Sequence, residues 1–261
     1  RRRRFSLYCQ YMTAFLTVLV GLCLGSFANV LIDRIPAGKS IRGRSACDRC
    51  RRTLRWWELV PVVSAVVLRH RCPTCDGVFS ARNTAVELGA AAVLLVVLWR
   101  HGGAVTSGGV VEAFGLLALL VLAVIDLRDG IVPDQISLPA IGTVLAVKAL
   151  FIIHYSLFIS QLLIPIVMGA GWFAVQRWMS KGRWVGDGDT RVGALMGAMF
   201  APMQLIVALA SSYIVGGAIA GVLLLMRRVG RGSRIPLVPF LFVGSAVAMV
   251  FGDRILAWYG W

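Results

Sequence analysis

Phe114-Gly115-Leu116-Leu117-Ala118-Leu119-Leu120-Val121-Leu122-Ala123-Val124-Ile125-Asp126 decides the fold: twelve residues without a polar side chain run straight into a carboxylate. The wider apolar segment, about 109–126, approaches the roughly 20 residues that an α-helix needs to cross a bilayer. An acid at the edge of hydrocarbon is costly and marks a functional position by default. Outward from this stretch the pattern repeats, and spans are predicted at about 12–32, 83–99, 135–153, 157–178, 190–202, 203–226 and 236–258. The sixth in chain order, 190–202, is short, and Pro202 hands it over to the next. The 261 residues are 58% hydrophobic, with a mean hydropathy of +0.80. Lipid admits only helices and closed barrels, and the period-2 alternation of a barrel is absent. The expected fold is an all-α polytopic membrane protein of about eight transmembrane helices with a small cytosolic zinc-binding loop domain. It divides into a first segment and helix (1–32), the loop domain (33–82) and a transmembrane core (83–261).

The formal net charge is +15. A basic balance of this size invites a nucleic-acid reading, but the placement of the charge favours the positive-inside rule. The loop 33–82 carries 11 Lys/Arg, and 20 of the 27 fall on loops that parity places on one side. That side is predicted to be cytosolic, both termini to face out, and nucleic acid to be no partner. Arg1–Arg4 stand against this, as a basic run at an outer end. The first segment reads as a span and not a cleaved signal peptide, since it continues into Asn29 without a convincing small-residue cleavage site.

Four cysteines form two knuckles, Cys47-Asp48-Arg49-Cys50 and Cys72-Pro73-Thr74-Cys75, with 21 residues between them. Two C-x-x-C knuckles at this separation suit one tetrahedral metal held by four thiolates. Arg49, Arg51, Arg52 and Arg71 favour the thiolate forms. Disulfides or redox cysteines are the alternative, disfavoured by a reducing cytosol. Four thiolates leave no position for water, so zinc at Cys47, Cys50, Cys72 and Cys75 would fold the loop and do no chemistry. Cys9 and Cys23 read as small apolar residues.

Asp126 has a counterpart in Gly186-Asp187-Gly188-Asp189. Parity places both acids on the same side. Gly130 and Pro133 make a tight re-entry after Asp126, and Asp134 is a plausible N-cap for the following helix. The glycines around Asp187 suit unusual backbone angles or the close approach of a substrate strand. Two neighbouring carboxyls share a proton, one activating water and the other polarising a peptide carbonyl. The helix dipole favours the proton on Asp126, at a C-terminus, and the charge on Asp189, near an N-terminus. The bland alternative makes both acids interfacial caps paired with Arg128 or Arg191. Asp129, Asp134 and Asp187 are assigned to capping and charge balance. His70, His101 and His154 are scattered and build no triad.

Taken together, the motifs resemble the bacterial prepilin peptidases, the type IV leader peptidase family of GxGD-type membrane aspartic proteases. Gly25-Ser26-Phe27-Ala28-Asn29 through Arg34-Ile35-Pro36 resembles the family's N-terminal signature. The two knuckles follow, with Leu54 to Pro61 between them and Arg82 to Glu87 after them. Asp126 to Asp134 stands where the first acid motif lies, Gly186 to Asp189 matches GxGD, and Ile235-Pro236-Leu237-Val238-Pro239-Phe240 resembles the last-helix signature. Arg191 stands where many members have Lys. The resemblance implies catalytic roles for Asp126 and Asp189 in cleaving prepilin or pseudopilin precursors after a glycine, at the bilayer of the bacterial cytoplasmic (inner) membrane. It also implies N-methylation of the new terminus from S-adenosylmethionine, to which no residues are assigned. A membrane adaptor or a transporter with structural acids is the alternative function. Glu58 and Glu87 read as polar candidates or loop caps. Asn29 reads as an interhelical hydrogen-bonder or a path-lining residue, and Trp56, Trp57, Trp258 and Trp261 as interface anchors.

Overall fold

The computed structural model describes the backbone of residues 2–151, 159–228, 230 and 235–260, with side chains from residue 10 onward in that set except residue 159. Arg1, His154, Arg231, Arg234 and Trp261, and the side chains of Arg2–Cys9, lie outside the described residues. Nine α-helices occur among the described residues: α1 (Arg2–Arg34), α2 (Val63–Val67), α3 (Ala81–Arg100), α4 (Ser107–Asp129), α5 (Asp134–Phe151), α6 (Ile164–Ser180), α7 (Asp187–Met199), α8 (Pro202–Leu225) and α9 (Val238–Trp258). A 3₁₀ turn covers Trp56–Leu59 and a π-turn Ile159–Leu163. Extended pairing among the described residues is limited to two isolated bridges, Ala46 with Thr53 and Arg71 with Val78.

Among the described residues seven helical stretches are long and apolar enough to cross a membrane: Gln10–Arg34, Ala81–Arg100, Ser107–Asp129, Asp134–Phe151, Ser160–Ser180, Pro202–Leu225 and Val238–Trp258. The segment read as a sixth span differs. It is α7, whose 13 residues reach only about 20 Å at the helical rise per residue, against a hydrocarbon core of roughly 30 Å. A helix this short keeps its ends out of lipid only if protein surrounds it, and Val192, Gly193 and Leu195–Met199 are buried. The Lys148 ammonium of α5 donates to the Met199 carbonyl at 3.0 Å, satisfying one of the orphan acceptors at the end of α7. Chain direction then changes at Phe200–Ala201, and Pro202 opens α8 at a position where a missing N–H costs nothing.

The chain divides into two compact units, Arg1–Val105 and Thr106–Trp261. In the first, α1 and α3 pair along their length. Gly21 and Gly25 make this possible: a Cβ on either would stand 2.5 Å from the Cα of Ala91 or Glu87. Small residues four apart let backbones approach where no hydrophobic force separates helix from lipid.

In the second unit α4 is the most enclosed of the long apolar helices. Leu116, Leu119, Leu122 and Ile125 are fully buried. Thr106 caps its start by accepting from the Gly109 N–H at 3.0 Å. Gly130 ends it in the left-handed region (φ 65°), a conformation that favours glycine. Helices α6 and α7 meet at Gly169 and Gly193, where an added Cβ on one would strike the carbonyl of the other. Gly193→Leu is therefore expected to destabilise the second unit by at least about 1–3 kcal/mol. Thermal unfolding in detergent measures it, with Gly171→Leu, whose Cβ meets open space, as the tolerated control.

Candidate active site and metal centre

Asp126 sits in the last turn of α4 and is 8% exposed. Its Oδ2 accepts the backbone N–H of Val238 at 3.0 Å, and the Leu237 N–H also points to the carboxylate. Both donors belong to the start of α9, where unsatisfied N–H groups make an anion site. Asp189 sits in the first turn of α7, half-buried. Its Oδ2 accepts the Gly186 N–H at 2.9 Å, the reciprocal half of a capping box. The two carboxylates lie close enough for the charge of Asp189 to act on Asp126. Two acids that are 63 positions apart in the chain thus come within electrostatic reach of each other, one at the end of α4 beside the start of α9 and the other at the start of α7.

The surrounding charges hold the frame and leave this pair to itself. Arg191 binds Asp134 through one nitrogen and Asp187 through the other, the latter at 2.7 Å. Arg177 reaches Asp187 at 3.0 Å, and Arg128 pairs with Asp129 at 2.6 Å. These ion pairs tie the start of α5, the end of α6 and the start of α7 together. Each is exposed and worth little alone; as a network they fix geometry. The charge-balance reading of Asp129, Asp134 and Asp187 matches these contacts. Among the described residues neither Asp126 nor Asp189 is in an ion pair with Arg128 or Arg191, and both accept backbone N–H groups at helix starts, as capping residues do. A cleft of about 620 Å³, lined in part by Arg177, Trp178, Lys181, Asp187 and Thr190, opens beside the first turn of α7.

The glycines of the 186–189 stretch have a cause other than backbone angle. Gly186 has φ −76°, and Gly188 is absent from the positive-φ residues. A Cβ on Gly188 would instead lie 2.5 Å from the Cβ of Val132. The re-entrant turn after α4 packs directly on the backbone beside Asp189. Val132, Leu237 and Val238 were not singled out from sequence. The flanking Pro236 and Pro239 were the available signal, since paired prolines announce a helix start with exposed N–H groups.

The metal centre belongs to the first unit. The Sγ atoms of Cys47, Cys50, Cys72 and Cys75 lie within 4.8 Å of one another, and Cys47 and Cys75 are 3.7 Å apart. A regular tetrahedron with Zn–S bonds of 2.3 Å has edges of about 3.8 Å. None of the four is in a disulfide. The knuckles repeat one geometry. Cys47 N–H donates to Arg52 O and Arg51 N–H to Cys47 O; Cys72 N–H donates to Gly77 O and Asp76 N–H to Cys72 O. Arg51 and Asp76 both adopt positive φ (59° and 53°). The Thr74 N–H, followed by the Cys75 N–H and the Arg52 guanidinium, draws the Cys72 thiol down to about 6. The Cys50 N–H likewise lowers Cys47. Buried Glu58 accepts from Arg52 at 2.8 Å and from the Arg55 N–H at 2.6 Å, and the Arg52 contact holds its carboxyl below the usual range. Glu87 accepts the Val62 N–H at 2.8 Å. Both glutamates are loop caps. Asn29 donates to the Asn83 carbonyl at 2.9 Å, the interhelical role.

Fold and site together define a multi-pass helical membrane protein with a converging acid pair and a separate four-thiol module. The chain belongs to the type IV leader peptidase family, whose profile matches residues 113–221, and residues 19–101 match the Bacterial Peptidase A24 N-terminal domain. A prepilin leader peptidase/N-methyltransferase from Pseudomonas putida is 30% identical over 95% of this chain and 93% of its own length. Relatives of the same description from Pseudomonas aeruginosa (27%; 93% and 92%) and Legionella pneumophila (29%; 94% of each) are similar end to end. No solved structure matches.

Gly188→Ala is expected to push Val132 aside and destabilise the protein by about 1–3 kcal/mol. Val132→Ala in the same chain should recover only part of that loss, because it removes the Cγ atoms and keeps the Cβ at 2.5 Å. Thermal melts of the single and double variants give the coupling directly.

Proposed function

We propose that the chain is a membrane aspartic endopeptidase that removes the leader of type IV prepilin-like precursors, with Asp126 and Asp189 as its catalytic pair. The observation that supports this reading is that two acids within electrostatic reach of each other are each held by backbone N–H groups and, among the described residues, by no cation. The ionised carboxyl takes a proton from water, and the resulting hydroxide attacks the scissile carbonyl carbon. The protonated carboxyl donates to the carbonyl oxygen as the tetrahedral intermediate forms. On collapse the C–N bond breaks as the newly protonated carboxyl gives its proton to the leaving amine, and a hydroxyl of the gem-diol intermediate returns one to the other carboxylate, which leaves the pair with one shared hydrogen. The end of α4 argues for Asp126 as the resting proton carrier, but the N–H groups at the start of α9 argue for its charge, so the helix ends assign the shared proton to the pair and to neither acid alone.

Both acids lie at helix ends, where a junction between a polar leader and an apolar segment would arrive. A transporter would need them near mid-membrane. The weight of Lys/Arg supports a cytosolic position for this side in a bacterial cytoplasmic membrane. Methyl transfer from S-adenosylmethionine to the new amine follows from the relatives' description and is assigned no residues. Cys47, Cys50, Cys72 and Cys75 would hold zinc as a folding element, with Arg52 and Arg49 balancing the negative thiolate shell.

Asp126→Asn and Asp189→Asn should each reduce cleavage of a synthetic precursor by roughly 10²–10⁴-fold while melting like the parent. Normal cleavage by either folded variant contradicts the assignment. Cys47→Ser and Cys72→Ser should lose bound metal by elemental analysis, and Glu58→Gln should weaken metal affinity roughly 10–100-fold. Because thiolates must stay deprotonated, affinity should fall as pH drops. Parent protein purified without chelator and containing no zinc would remove the metal claim.

A further inference from the structure

Between the two knuckles lies Trp56-Trp57-Glu58-Leu59-Val60-Pro61-Val62-Val63-Ser64-Ala65-Val66-Val67-Leu68, with ten apolar side chains in thirteen residues and one charge. That charge, Glu58, is turned inward onto Arg52. The apolar side chains are not buried in a core. Trp56 is 78% exposed, and Val63, Val66 and Val67 are 56%, 71% and 67% exposed. Arg55 precedes them, and Arg69 and Arg71 follow, all exposed.

We propose that this strap lies in the bilayer, with Trp56, Val63, Val66 and Val67 among the acyl chains and the flanking arginines at the phosphates. Three observations carry it. First, the Val62 N–H is bonded to Glu87 Oε2, and Glu87 lies six residues inside the membrane-spanning stretch Ala81–Arg100, about 9 Å along the helix axis. The strap is therefore held alongside a span at membrane depth. Second, much of its backbone is satisfied within the strap, as lipid favours. Ser64, Val66 and Leu68 donate to Val60, Val62 and Ser64, and Val63 donates to Pro61. The Val62 N–H, at the left-handed residue that opens α2, is met by Glu87. Third, an apolar run of this length is the size of an interfacial or re-entrant segment, and long cationic side chains at its ends can snorkel.

This gives Glu87 a role. An acid inside a span supplies the acceptor that an irregular backbone needs in lipid, and it pins the strap. The thiol cluster at the strap's two ends is thereby kept at the headgroup surface.

The test uses the full, metal-loaded chain in vesicles of phosphatidylcholine and phosphatidylglycerol with brominated acyl chains. Eight tryptophans emit, so the difference between parent and Trp56→Phe isolates one. The Trp56 component should be quenched by the bromines and not by aqueous iodide. Glu87→Leu should expose it to iodide, and Glu87→Gln, which keeps an acceptor, should not. Quenching by iodide alone, or shielding from both quenchers as under a protein partner, overturns the proposal, and an unchanged Glu87→Leu overturns the pin. Should the variants fail to fold, a photoactivatable phosphatidylcholine on the parent chain decides. Adducts within 59–67 support insertion; adducts confined to the seven long helical stretches refute it.

Discussion

Helix α7 cannot cross a bilayer alone, and the second unit is arranged around that fact. Its 13 residues must be enclosed by protein, because each exposed backbone group at its ends would cost several kcal/mol in hydrocarbon. Glycines at 169, 193 and 197 bring α6 against it, and Lys148 closes its far end. Its near end carries Asp189. Enclosure is thus what puts a carboxylate at a fixed height opposite Asp126, with the start of α9 supplying donors to the latter.

The first unit solves a different problem. Its loop is too small for a core of its own, and the buried cluster around Cys47, Leu54 and Cys72 is slight. Four thiols and an inward Glu58–Arg52 pair replace the missing core. The apolar strap between the knuckles then faces outward, the reverse of a soluble domain. That inversion makes sense beside lipid, where Glu87 of α3 meets the Val62 N–H at the strap's left-handed residue.

Much of this was legible in the residues, because the relevant signals are local. Apolar runs gave the seven long helices, cysteine spacing gave the thiol cluster, and the GxGD stretch gave Asp189. What escaped depends on packing. The 190–202 segment reads as a short span, and that it is an enclosed helix shows only once its ends are seen to be closed by Lys148 and by the break at Phe200–Ala201. Gly188 was read as serving an unusual backbone angle or the close approach of a substrate strand, whereas what crowds it is the side chain of Val132. The donors on Asp126 come from main chain more than a hundred residues away, and main-chain donors leave no side-chain signature. Lys148, one cation in an apolar helix, could have been flagged by its cost alone.

Catalysis in this account requires that the two acids behave as one unit. Carboxyl-carbon NMR of the protein labelled at aspartate, followed across pH, reads that coupling directly. If the account holds, the titration of Asp126 changes when Asp189 is replaced by Asn, because one carboxyl senses the charge of the other. An Asp126 titration identical in the parent and the Asp189→Asn chain would mean that the acids are independent, and the shared-proton mechanism would be wrong.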